Sequence, residues 1–191
     1  LASEIKIVTR VINYSGSGFS NFVREKELLV LNETIILTHV SNPVVMKACY
    51  DNQLALSSDK FMTKDEASRV EDIGSIFTDL SSTIDWSFDE FRYFNNPKLT
   101  KLDNRAFANT RLTSIVLPEN ITTLGEGVFE NCKKLKNVEI NNNITTISKK
   151  TFLNCSSLEK FILPDNVYVI EANAFGGTGF EKILFNNGKT D

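Results

Sequence analysis

A repeat of about one short coil in length, running through the second half of the chain, limits the fold more than any other feature. Leu112, Leu135 and Leu158 stand 23 residues apart, and Phe180 follows after 22. Each opens a pattern with apolar residues at the third and fifth following positions: Ile115/Leu117, Val138/Ile140, Phe161/Leu163 and Ile183/Phe185. Ile121/Leu124, Ile144/Ile147 and Val167/Ile170 recur at the same interval, as do Phe129, Phe152 and Phe175. Upstream, Leu99, Leu102 and Phe107 reproduce the Ile121, Leu124, Phe129 spacing, so a partial unit precedes Leu112.

A unit this short cannot bury both its strand face and its Phe alone. Stacked copies place equivalent residues about 4.8 Å apart and make a continuous core. The expected architecture is therefore a solenoid. Ile115-Val116-Leu117 has the in–out–in alternation of a short strand, and Pro118 or Pro164 ends it by removing a ladder donor. Turns follow at Glu119-Asn120, Asn141-Asn142-Asn143 and Asp165-Asn166, and the stretch from Leu124 to Phe129 suits an extended segment leading into a helical or 3₁₀ turn.

Cys132 and Cys155 occupy one slot, three residues after the repeat Phe, where the flanking units carry Thr110 and Thr178. Alternation of Cys with Thr marks a small, partly buried position whose side chain bonds the local backbone. It points to a structural ladder rather than a redox pair, and a zinc site would need four convergent ligands.

These residues resemble the BspA-like leucine-rich repeats, found on surface proteins of host-associated bacteria and some protists. The family pattern, L-x-x-I-x-L-P-x-x-[VI]-x-x-I-x-x-x-x-F-x-x-C, is matched from Leu112 through Pro118 and Phe129 to Cys132. It is matched again from Leu158 through Phe175, with Thr178 in the Cys slot, while the middle unit has Asn141 in place of Pro. The resemblance covers roughly residues 99 to 185 and implies an α/β repeat fold: a right-handed leucine-rich-repeat-like solenoid of short strands and turns, occupying 99–191.

Residues 41–98 read as an α/β cap on that solenoid. Ser41-Asn42-Pro43 offers an N-cap followed by Pro at the first helical position, opening Val44 to Tyr50. Thr63 with Glu66, and Ser87 with Glu90, have capping-box spacing and predict short helices near 64–70 and 88–94. Phe88, Phe91 and Tyr93/Phe94 form an apolar stripe expected to cover the open end of the stack. The segment also resembles what commonly precedes BspA-like repeats, carrying Ser87-Phe88-Asp89-Glu90-Phe91-Arg92-Tyr93-Phe94 for S-F-D-E-L-x-Y-F and Asp72-Ile73-Gly74 where a Leu-Gly pair belongs. The EF-hand-like calcium loop of that family is degenerate here. Ala55 stands at loop position 1, Ser57 at 3, Asp59 at 5, Lys60 at the Gly position and Glu66 at 12, so no calcium binding is expected and Glu66 is read as a capping residue.

Residues 1–40 alternate as strands at Ile5/Ile7, Val11, Leu28-Val30 and Ile35-Leu37, with Ser15-Gly16-Ser17-Gly18 as a turn, and read as a small N-terminal β element. The Ser-Gly run lacks the Lys-Ser/Thr of a phosphate loop. Because the chain starts at Leu1 without a leader, a processed or trimmed product is expected. The apolar stretch Leu28 to Leu37 is broken by Asn32-Glu33-Thr34, so no run of roughly 20 apolar residues spans a bilayer and a soluble chain is expected.

Chemistry is sparse. With 21 Lys+Arg against 24 Asp+Glu the net charge is −3, which argues against nucleic acid as a partner. His39 is the single imidazole, and nothing orients it toward Cys49 as a nucleophile pair. Asp65-Glu66, Glu71-Asp72 and Asp89-Glu90 fit helix starts better than glycosidase carboxylates, since adjacent helical residues diverge. Asn120-Ile121-Thr122, Asn143-Ile144-Thr145 and Asn154-Cys155-Ser156 match glycosylation acceptors, relevant only in a glycosylating host. No enzyme activity, cofactor or metal is expected.

The leading reading is a non-enzymatic cell-surface or secreted binding module that displays the solenoid to a protein or glycan on a host or bacterial surface; adhesion is what the resemblance implies. The alternative is a structural spacer or assembly part, such as a stalk or fibre segment, with self-association and no ligand of its own. A sugar-processing enzyme ranks last. The expected recognition surface is the column of outward strand positions, Val116, Glu139, Ile162 and Leu184, flanked by Ser114, Asn137, Lys160 and Lys182.

Overall fold

The computed structural model describes residues 43–54, 64–80, 84–180 and 184–185, all within one compact unit spanning Leu37–Asp191. The β element read at 1–40, the calcium-loop residues 55–63, His39, Thr63 and Lys182 lie outside the described residues.

Helix α1 (Pro43–Asp51) opens on its proline, as the fixed φ of that residue at a first helical position requires. Helix α2 (Lys64–Ser68) carries Asp65 and Glu66 in its first turn, where the helix dipole favours negative charge, and buries Ala67. The helix expected near 88–94 takes a different form. Strand β1 (Trp86–Phe88) comes first, followed by a 3₁₀ helix over Asp89–Tyr93 that has no side-chain cap. Two non-local forces override the capping-box signal. β1 pairs in parallel with β3 (Leu112–Val116), matching Ser87 with Ser114 and Phe88 with Ile115. Phe88, Phe91 and Phe94, three residues apart as a 3₁₀ turn eclipses them, all point into the core.

The repeat stacks coil on coil. One face carries the parallel sheet β1-β3-β5, with β5 at Asn137–Glu139, where Ser114 pairs with Asn137, Ile115 with Val138 and Val116 with Glu139. Further along each coil come the two-residue strands β2 (Lys101–Leu102), β4 (Thr123–Leu124), β6 (Thr146–Ile147) and β8 (Val169–Ile170), pairing in parallel as β2-β4 and β6-β8. β7 (Ile162–Leu163) pairs with β9 (Leu184–Phe185). The strand ladder is interrupted between β5 and β7, at the coil where the larger Phe161 takes the inward slot held by Ile115 and Val138.

The third side of each coil is a tight turn that carries the repeat Phe, and it is continuous. Phe107, Phe129 and Phe152 each donate a backbone N–H to the coil below, at 2.9, 2.9 and 2.7 Å, and i→i+3 bonds such as Glu130 N to Gly127 O at 2.9 Å close the turn. Their rings, with Phe77 above and Phe175 below, form one stack of five, with centroids 5.3–5.6 Å apart and planes within 12° of parallel. The column leucines Leu112, Leu135 and Leu158 are fully buried, as are Leu102, Ile121, Ile144 and Ile147. Phe91 and Phe88 meet Phe107 edge-on and Phe88 meets Phe77 in the same way, so the aromatic stripe packs against the first two rungs of the stack. At the other end Ile170, in the same column as Leu124 and Ile147, is 47% exposed, and no later described coil covers it. No described helix is long and apolar enough to cross a membrane.

Candidate functional site

Each turn places two residues at positive φ, one two positions before the Phe and one two positions after it. The second column is Asn109, Asn131 and Asn154 at φ 58°, 60° and 60°. Asparagine tolerates this left-handed conformation because its short amide bonds locally. Here the amides bond one another. Asn131 Nδ2 donates to Asn109 Oδ1 at 2.9 Å, and Asn154 Nδ2 donates to Asn131 Oδ1 at 2.8 Å. Asn109 Nδ2 in turn donates to Asp79 Oδ1, and Asp79, at φ 53°, is the equivalent residue of the first coil. The run stops at Gly177 (φ 69°), where any Cβ would sit 2.8 Å from Asn154 Oδ1. This ladder has a sequence signal, the Asn that precedes each Thr or Cys at 109–110, 131–132 and 154–155.

The neighbouring Thr/Cys slot is a second structural column. Thr110 donates to Phe107 O at 2.9 Å and Thr178 to Phe175 O at 2.8 Å, each within its own coil. Cys132 and Cys155 instead reach one coil back, to Phe107 O at 3.0 Å and Phe129 O at 3.1 Å. Burial pushes the Cys132 thiol up to about 11, partly offset by Thr110. Burial also raises Cys155 strongly, and the adjacent Cys132 adds to the rise. Cys49 is fully buried on α1 and is pushed up to about 12 by desolvation. All three are free thiols with little thiolate at neutral pH, the opposite of an activated nucleophile.

Asn141, standing where its neighbours have Pro, is buried and donates to Pro118 O at 2.6 Å and Ile121 O at 2.9 Å. Asn120 donates in the same way to Phe94 O and Asn96 O, at 3.2 and 3.0 Å. These amides tie one turn to the next. Among the described residues, no group of three or more His, Cys, Asp or Glu is placed to hold a metal ion. A shallow cleft of about 170 Å³ between the end of α1 and α2 is lined by Gln53, Leu54, Glu66, Arg69, Val70 and Glu71.

The strand face brings the expected recognition residues into register. Val116 and Glu139 pair side by side, Ser114 pairs with Asn137, and Ile162 pairs with Leu184. Val116 and Ser114 are half-buried, Asn137, Glu139 and Lys160 are exposed, and Ile162 is 59% exposed. The column is thus divided at the β5/β7 interruption, with Val116 and Glu139 on one side and Ile162 and Leu184 on the other.

Stacked short parallel strands, a turn ladder and buried leucine columns define a leucine-rich repeat solenoid. Residues 86–191 match six copies of the BspA type leucine rich repeat region, just over half of the sequence, and the chain belongs to that family. The match begins at Trp86, the first residue of the paired strands. Among solved structures, a leucine rich cell surface protein from Faecalibacterium prausnitzii A2-165 is 21% identical, with a TM-score of 0.43 over 47% of this chain and 30% of that one. Leucine-rich repeat proteins from Bacteroides capillosus (22% identical, TM-score 0.44, 46% and 64% covered) and Bacteroides ovatus (26%, 0.45, 49% and 24%) are similar in the same way. This chain therefore spans less than two thirds of the length of each. No curated protein matches the chain.

Proposed function

We propose that the chain is a non-enzymatic binding module of a surface or secreted protein, recognising a protein or glycan through the strand face of its solenoid. The observation that carries this reading is the apolar outward position of Ile162 beside Lys160, on a coil joined to its neighbour by the Phe and Asn columns. A merely solvated strand would present polar residues there, and an extended solenoid face is the surface such folds use for partners. Family membership and the high-pKa buried thiols fit a displayed, chemically inert scaffold. The test is to immobilise the full chain and screen it against purified host surface proteins and a glycan array, alongside the triple variant Val116→Ser, Ile162→Ser, Leu184→Ser. The expected result is a ligand whose binding the variant weakens about tenfold or more, with an unchanged melting temperature. Equal binding by both chains, or no ligand in either panel, overturns the proposal.

A further inference from the structure

The charge pattern of the strand face deepens that reading, on which this inference rests. Among the described residues, the head group of every other Lys and Arg has a partner: an ion pair, as for Lys98 with Glu71 at 2.7 Å and Lys150 with Glu126 at 3.0 Å, a carbonyl for Arg92, or the Tyr93 ring for Lys64. Lys133, Lys134, Lys136 and Lys160 are the exceptions, with no carboxylate within 4.0 Å, and all four are exposed. They fall on two neighbouring coils, on the segments that enter β5 and β7. Those segments are fixed to adjacent coils, because Ser157 Oγ donates to Lys133 O at 2.7 Å and Lys136 N donates to Thr113 O at 2.8 Å. Glu139 and Glu159 share the region and leave it net positive in a chain of charge −3.

We infer that this lysine cluster is the docking surface for a linear anionic polysaccharide. The charge is complementary, and the residue type narrows the partner. Lysine is depleted at protein–protein interfaces, which need buried aromatic or Arg anchors, and the segments from Lys133 to Lys136 and from Ser157 to Lys160 contain none. Recognition of single-stranded nucleic acid uses stacking aromatics, which these segments also lack. Four exposed ammonium groups without carboxylate partners suit a polymer held by distributed charge, and such binding weakens steeply with salt.

The test compares the full chain with the variant Lys133→Gln, Lys134→Gln, Lys136→Gln, Lys160→Gln. A control of equal net charge carries Lys47→Gln, Lys98→Gln, Lys101→Gln and Lys149→Gln. Probes are polygalacturonate, heparin, neutral dextran, polyglutamate and a single-stranded oligonucleotide. The expected result is binding to polygalacturonate or heparin that drops roughly tenfold or more for a fourfold rise in salt. It should also drop at least tenfold in the cluster variant and not in the control. Equal loss in both variants, or a preference for polyglutamate or the oligonucleotide, overturns the inference. Binding only to dextran, or only to a neutral glycan or host protein of the earlier screen, also overturns it and leaves the broader binding role standing.

Discussion

Phe77 stacks on Phe107 with ring centroids 5.3 Å apart and planes 11° from parallel, the same geometry that joins Phe129 to Phe152 (5.4 Å, 7°). The column of aromatic rungs therefore starts one coil earlier than the repeat period reveals, because 30 residues separate Phe77 from Phe107 while 22 or 23 separate the later rungs.

Removing a rung should be costly at either position. Phe152→Ala and Phe77→Ala each open a cavity among fully buried rings and should destabilise the chain by about 3–5 kcal/mol. Urea unfolding followed by circular dichroism measures this, and a loss under about 1 kcal/mol would mean that the ring is not a core element.

The asparagine ladder separates two effects at one position. Asn131→Gly keeps the positive φ but leaves Asn154 without its acceptor and Asn109 without its donor, whereas Asn131→Ala adds left-handed strain of about 1–2 kcal/mol. Alanine should therefore be the more destabilising of the two by about that amount. Denaturant melts in which Gly is as harmful as Ala would remove backbone strain from the account.

The thiols predict a pH dependence with a definite sign. Their folded values lie above the ordinary 9.0, so burial of the neutral thiol contributes its full stability below pH 9. That contribution falls as pH rises from 9 through about 11, the folded value of Cys132, as the unfolded chain ionises first. Cys132→Thr, which copies the residue of the flanking units, should change stability by less than about 1 kcal/mol at pH 7 and flatten the alkaline loss. A thiol-specific reagent at pH 8 should label the urea-unfolded chain at all three cysteines and the native chain at none. Rapid native labelling of Cys132 or Cys155 would contradict the burial described.

How far the sequence carried the fold depended on whether a signal was periodic. The inward columns at Leu112, Ile115, Ile121 and Phe129 repeat at fixed spacing; these four residues are buried, and Val138, Val167, Phe175 and Phe180 in the same columns are partly buried. Phe77 breaks the period and so carries no repeat signal. Ser87 to Glu90 looked like a local helix start, yet the conformation of Trp86–Phe88 is decided by pairing with Leu112–Ile115, a contact that a capping motif does not encode. The Asn column was visible as a repeated dipeptide, but its meaning needed the coil stacking that puts each amide over the last. The outward face was legible as an alternation at Ile115-Val116-Leu117, while the interruption between β5 and β7 had no sequence signature apart from the large Phe161.

A two-face substitution scan on the full chain, read against whichever ligand the screen returns, tests the central claim that the strand face does the binding. Ser114→Trp, Asn137→Trp and Ile162→Glu alter that face, and Thr123→Trp and Thr145→Trp alter the face formed by β4 and β6 and the turns before them. The account predicts at least tenfold weaker binding from each of the first three and little change from the other two, with all five variants folded. Weaker binding confined to Thr123 and Thr145, or equal effects on both faces, would contradict it.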